Sequence, residues 1–161
     1  MINATMGYLR KGNETLFLYR HGGKDDIHNG LYVPPGGRIE RGERGIDCVI
    51  REFREETGLL LLNPKLRAIV TFYNEGRDIG IEENPEDWMV ETYEARGFTG
   101  TLKKEGPKSD PHWIKDEDLP KTKMRECDRR ILEELCKEGV LEIITRHSGK
   151  ELIVFEVERA A

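Results

Sequence analysis

Three glutamates, Glu52, Glu55 and Glu56, crowd into five consecutive positions of the stretch Gly37–Leu59, which reads GRIERGERGIDCVIREFREETGL. Around them Ile46, Val49, Ile50 and Phe53 recur at i, i+3, i+4 and i+7, the apolar stripe of a helix from about Arg44 to Thr57. At about 100° per residue the three carboxylates share an arc of roughly 100° that flanks this stripe. One rigid element thus presents three anions together, which is costly unless something cationic lies between them. Oxygen ligands suit hard ions, so Mg²⁺ or Mn²⁺ is the expected occupant. Such an ion bridges diphosphate oxygens, neutralises developing charge and activates a water: the chemistry of hydrolysis at phosphorus. The same charges on a helix with nothing around it read as a solvated amphipathic surface. The neighbouring residues decide between the two.

Gly36 and Gly37 let the chain turn sharply and approach closely just before the helix, and a carbonyl of that turn is one more candidate ligand. Arg51 lies four residues before Glu55, where its guanidinium can orient a carboxylate through paired hydrogen bonds. Glu43 stands at the helix start, where the dipole favours a negative charge. Cys48 falls near the carboxylates, but a thiol is a poor ligand for a hard ion and reads as packing. His21, His28, His112 and His147 follow no metal spacing and read as ordinary polar residues. Arg20, at a strand end, is a candidate phosphate contact. Tyr32, Tyr73 and Trp88 are candidates to stack on a base, against the plainer reading of aromatics on a sheet.

These residues need a scaffold, and 161 residues suffice for one domain, 1–161, with a sizeable core. With 35% charged residues and no apolar run longer than Leu59–Leu62, a membrane span is not expected. A net charge of −5 and the absence of a basic stripe argue against a nucleic acid polymer as partner, though not against a single nucleotide reached through metal ions. The N-terminus lacks a signal-peptide layout, and Cys48, Cys127 and Cys136 have no CxxC spacing. Free thiols in a reducing cytoplasm are the expectation.

Strands are expected at Asn3–Arg10 and Thr15–Arg20, joined as a hairpin, then at Leu31–Val33, Leu66–Tyr73 and Trp88–Phe98. Gly58 is a C-cap candidate for the first helix, whose start lacks the usual capping side chain. Gly100–Pro111 reads as a polar connector, Trp113–Pro120 as a short element, and Met124–Glu138 as a second helix with Ile131, Leu132 and Leu135 inward. Val140–Thr145 and Leu152–Val157 form a closing hairpin. The layout is α+β: a mixed sheet with helices on its faces.

The full spacing is Gly37, five residues, Glu43, seven residues, Arg51-Glu52, apolar Phe53, one residue, Glu55-Glu56, one residue, Gly58 and apolar Leu59. It resembles the complete Nudix box at every fixed position, and Pro35-Gly36-Gly37 resembles the family's usual lead-in. The resemblance implies an α/β/α sandwich with a mixed sheet, and attack by metal-activated water on a nucleoside diphosphate derivative. Carried onto this chain it makes Glu52, Glu55, Glu56 and the Gly37 carbonyl metal ligands, with Arg51 and Glu43 orienting them. The general base varies in the family; Glu55 is the first candidate and Glu105 a weaker one.

Beyond the box, Tyr8-Leu9, Arg20, Asn29-Gly30, Phe98-x-Gly100, Trp113, Asp118-Leu119-Pro120 and the final hairpin look most like the mutator-type 8-oxo-dGTP diphosphatase branch. Those enzymes grip the purine with an asparagine before the box and a Trp-x-Asp-Asp-like stretch after the Leu-Pro. Here Val33 replaces the asparagine, and Met124-Arg125-Glu126-Cys127-Asp128 keeps only the last aspartate. Arg20, Val33, Arg125 and Asp128 are therefore the substrate-binding candidates. A nucleoside triphosphate diphosphatase is the leading expectation. An ADP-ribose or dinucleoside polyphosphate hydrolase comes second, and a nucleotide-binding module without turnover third. The polar stretch Asn74–Asp87 is a lid or specificity-loop candidate for either enzyme.

Overall fold

The computed structural model describes residues 1–74 and 86–160. Along the chain run β1 (Ile2–Lys11), β2 (Glu14–Arg20), β3 (Tyr32–Val33), β4 (Gly36–Arg38), α1 (Gly45–Thr57), β5 (Leu59–Leu62) and β6 (Lys65–Asn74). Then come β7 (Trp88–Ala95), β8 (Gly97–Gly100), β9 (Ser109–Lys115), a 3-10 helix (Asp116–Lys121), α2 (Glu126–Leu135), β10 (Leu141–Ser148) and β11 (Glu151–Arg159). The main sheet is ordered β11-β10-β6-β7-β1-β2-β3, with β4 also on β1 and β9 on β2. β1 with β7 and β6 with β10 are parallel pairs in an otherwise antiparallel sheet, so it is mixed, as expected.

Strand periodicity divides the core into two layers. Successive strand side chains point to opposite faces. Ala4, Met6 and Tyr8 of β1 join Phe17, Val70, Val90 and the inward residues of α2, Ile131, Leu132 and Leu135. Leu9 of β1 instead joins Leu16, Tyr93 and Ala95, together with Val49 and Phe53 of α1. One helix covers each face, which is the α+β sandwich. At Gly7 a Cβ would lie 2.5 Å from the Phe53 ring, so a side chain there would push α1 off the sheet.

The structure differs from the expected elements at several places. The expected connector 100–111 becomes strand from Ser109, where β9 pairs with β2, and residues 36–38 pair with β1 as β4. Leu59–Leu62 is a strand, pairing with β8, with Leu59 and Leu61 buried and Leu60 and Leu62 outward. Four leucines carry no polar alternation to reveal this. The expected strand Trp88–Phe98 divides at Arg96 so that β8 can serve that pairing. The second helix is shorter than expected at both ends. Met124 is held in an extended bridge with Tyr32, and the Arg67 guanidinium takes the carbonyls of Leu135 and Lys137 at 3.1 and 2.6 Å. The stretch Asn74–Asp87 lies mostly outside the described residues; at its ends the Asn74 amide donates to the Asp87 carboxylate at 2.9 Å.

The closing hairpin joins the sheet through β10, and Leu141 and Ile143 are fully buried on it. Burying two such side chains stabilises by about 1.5–3 kcal/mol each, and losing β10 also bares the edge of β6. A chain ending after Gly139 is expected to lose cooperative thermal unfolding and become insoluble. A truncated chain that melts as sharply as the full one would make the hairpin an accessory.

Candidate active site

The site begins where α1 crosses β4. Gly36 and Gly37 pair with Met6 and Thr5 of β1. A Cβ on Gly36 would come within 2.1 Å of the Thr5 carbonyl oxygen, and one on Gly37 within 2.4 Å of Glu52 Oε1. Neither position has room for a side chain, and that room is what lets the helix carboxylates settle on the strand. The Gly36 amide donates to Glu56 Oε1 at 3.0 Å. At the far end of α1, Gly58 takes the left-handed conformation, φ 81°, and its amide bonds the Arg54 carbonyl, closing the helix as expected.

Glu52 and Glu56 are thus brought together against Gly36–Gly37. Glu55 is not: its side chain is 59% exposed and reaches Arg51 across 3.4 Å. Arg51 is the hub of the site. Its Nε and Nη2 donate to Glu43 at 2.8 and 3.0 Å, its Nη1 to Glu52 at 2.9 Å, and its Nη2 to the Arg38 carbonyl at 3.3 Å. The paired hydrogen bonds expected toward Glu55 go to Glu43 instead. Those bonds hold the Glu43 carboxyl down at about 2. The Cys48 thiol packs beneath, bonding Thr5 Oγ1 at 3.2 Å, and burial pushes it up to about 11. It is inert, in keeping with a packing role.

Burial first, and the neighbouring Glu52 second, push the Glu56 carboxyl up to about 8; burial raises Glu52 as well, against the pull of Arg51. Two adjoining anions that resist ionisation call for a compensating positive charge, and their all-oxygen chemistry fits a hard divalent ion. Among the described residues no three His, Cys, Asp or Glu side chains converge into a ready cage. The expected trio is a pair with an outlying third.

A cavity of about 630 Å³ opens from Gly36, Gly37 and Glu56 along the α2 face of the sheet. Its floor is apolar, including Ala4, Phe72, Trp88 and Val90, and Val33 and Arg20 stand in its wall. Arg20 is steadied by Asp26, which accepts its Nε–H at 2.9 Å. Arg125 lines the cavity too, but its fork is held by both Asp128 oxygens at 2.8 Å, and its guanidinium lies over the Phe72 ring at 5.4 Å. Asp128 is completely buried behind Arg125 and does not line the cavity. Glu105 is exposed, near His21, and is also absent from the lining. Of the aromatic candidates Trp88 reaches the cavity; Tyr32 packs against the core and Tyr73 faces the Arg146 guanidinium.

The four histidines, read as one ordinary polar group, divide by position. His28 and His147 both line the cavity, and burial pushes His28 down to about 4. The available signal was positional, since His147 continues the inward alternation Leu141, Ile143, Thr145 of β10.

Among known proteins, the NUDIX domain profile matches residues 2–135. The Bacillus subtilis (strain 168) protein named uncharacterized Nudix hydrolase YvcI is 36% identical over 113 residues, 70% of this chain and 69% of that protein. An ADP-ribose pyrophosphatase of Methanocaldococcus jannaschii is 35% identical over 71 residues, 44% of this chain and 38% of that protein. The crystal structure of a mutator MutT protein from Bacillus halodurans superposes with a TM-score of 0.82 at 24% identity, covering 98% of both chains, a likeness of fold.

Proposed function

The chain belongs to the Nudix family, hydrolases of nucleoside diphosphate derivatives, and from that premise we propose that it cleaves nucleoside triphosphates to monophosphate and diphosphate. The observation that carries this reading is the cavity that joins Glu56 and Gly36–Gly37, with the Glu52 carboxylate set against Gly37, to an apolar, aromatic-floored chamber. Phosphates belong at the first end and a ring system in the second.

Nudix hydrolases generally use divalent cations such as Mg²⁺, and here Glu52, Glu56 and the Gly37 carbonyl would hold the ion, with Glu55 as a further ligand. Bound there, it supplies Lewis-acid stabilisation of phosphate charge and lowers the pKa of water. The chain's own residues do the rest. Arg51, fixed by Glu43, orients Glu52 and Glu55. Glu55, exposed beside Arg51, is the first candidate to take the water's proton, because Glu56 is tied to the Gly36 amide. Arg20 offers positive charge to a phosphate from the cavity wall.

Val33 bears on one contrast, oxidised against unoxidised guanine. It is 8% exposed in the cavity wall and offers no hydrogen bond to a purine edge. Hydrogen-bond readout can discriminate by about ten-thousandfold, apolar fit by only on the order of ten- to two-hundredfold. A preference for 8-oxo-dGTP over dGTP below roughly a hundredfold is therefore expected in kcat/KM. The test is a turnover screen with Mg²⁺ in ¹⁸O-water, with label expected only in phosphate-containing products. A preference of several thousandfold would show that another residue reads the oxidised base. ADP-ribose is the second reading, favoured by the methanogen relative. Its turnover, with both triphosphates left intact, would replace the first.

A further inference from the structure

Among the described residues two buried side-chain polar atoms find no hydrogen-bond partner, Thr145 Oγ1 and His147 Nδ1. Both lie on the inward face of β10, which begins with the core residues Leu141 and Ile143. Buried donors and acceptors are nearly always paired, so an orphan calls for a cause. The column changes from aliphatic to polar as it approaches the cavity, and His147, 9% exposed, forms part of the cavity lining. Its ring is also held in place, stacked on Phe72 with centroids 6.2 Å apart and planes 30° apart. The other side of the argument is charge. Burial and the nearby Arg125 lower the His147 pKa, so the ring is neutral and offers nitrogen lone pair or N–H according to tautomer. A neutral imidazole edge suits a heteroaromatic ring, which also carries both donors and acceptors, better than it suits a phosphate.

We propose that His147 reads the polar edge of the substrate's nucleobase, making the C-terminal hairpin the wall that sets base selectivity. This rests on the reading of the chain as a nucleotide hydrolase. The hairpin lies beyond residue 135, where the matched domain span ends, so the specificity element is separate from the catalytic box. The two ends of the cavity agree with such a division. The carboxylate end lies at β4 and His147 on β10, with β1, β7 and β6 between, four strand spacings or about 19 Å. A ligand that touches both is elongated, with phosphates at one end and a base at the other. Phe72 and Trp88, paired across β6 and β7, give that base an aromatic floor.

The test compares wild type with His147→Phe, which keeps ring and burial but removes the nitrogens, and with His147→Asn, which returns a polar atom near Nδ1. Binding of imido-linked ATP and GTP analogues, ADP-ribose and base-free ribose 5-triphosphate is measured calorimetrically in Mg²⁺. For at least one base-containing ligand, Kd is expected to rise about tenfold or more in His147→Phe and to recover partly in His147→Asn. Ribose 5-triphosphate should bind all three proteins alike. The Tm of His147→Phe should equal or exceed wild type, because a buried unpaired atom has gone. Unchanged Kd for every base-containing ligand, or an equal loss for the base-free one, overturns the inference. A wild type that binds these ligands but turns none over sinks only the proposed reaction; one that binds none of them sinks both.

Discussion

Glu56→Gln is expected to lower kcat by a hundred- to a thousandfold, about 2.7–4 kcal/mol, with no loss of Tm. Glutamine keeps the side-chain volume, and its amide oxygen can still accept the Gly36 N–H that Glu56 Oε1 accepts at 3.0 Å. What disappears is the capacity to carry the second of two crowded negative charges. In the metal-free protein that charge is a burden, because burial and Glu52 both oppose ionisation of Glu56. Its removal therefore leaves the fold as stable or more so. On the proposed reaction the same charge would help hold a divalent ion against the phosphates, and losing it would remove stabilisation of charge in the transition state. The Mg²⁺ concentration for half-maximal activity should rise in parallel. Kinetics across a magnesium titration, beside thermal melts, separate the two effects. A folded Glu56→Gln protein with turnover within threefold of wild type would remove the metal-site assignment.

Much of the fold was legible because amphipathic periodicity leaves a one-dimensional trace. Ile46, Val49, Ile50 and Phe53 marked α1, and the β-rich runs at either end of the chain marked the first and last hairpins. What the sequence hid was tertiary. Leu59–Leu62 has no polar alternation, so its pairing with β8 could only come from the partner strand. The start of α2 depended on Met124 bridging to Tyr32, a contact between residues 92 positions apart. The site shows the same division. Spacing alone singled out Glu52, Glu56, Gly37 and Arg51, which lie on one helix and the strand leading to it. Whether Glu55 closes on that pair depends on rotamers and on Arg51, and spacing does not record those. Asp128 looked available as a base contact, yet its carboxylate is completely buried and taken up by Arg125. His147 reaches the cavity from a hairpin about ninety residues after the box, through a sheet order that no local pattern reveals.

Arg51→Met should reduce kcat/KM by on the order of a hundredfold while lowering Tm, the combination that marks a positioning residue. One guanidinium ties Glu43, Glu52 and Glu55 together and bonds the Arg38 carbonyl as well. Methionine fills similar space but leaves those carboxylates to repel one another, so Glu52 and Glu55 lose their set orientation. Arg51→Lys keeps the charge and loses the planar fork, which cannot serve Glu43 through two nitrogens and Glu52 through a third. It should fall between wild type and Met, nearer to Met in kcat. A titration separates this role from simple packing. Glu43 ionises at about 2 in the folded protein against an ordinary 4.5, because Arg51 bonds its carboxylate. A depressed carboxyl pKa contributes stability that is full above the ordinary value and is lost as pH falls through about 2. In Arg51→Met the Glu43 resonance should titrate near 4.5, and the stability difference from wild type should be full at neutral pH and vanish toward pH 2. If Glu43 still titrated near 2 without the guanidinium, or if kcat/KM stayed within threefold of wild type, Arg51 would not be what orients the carboxylates.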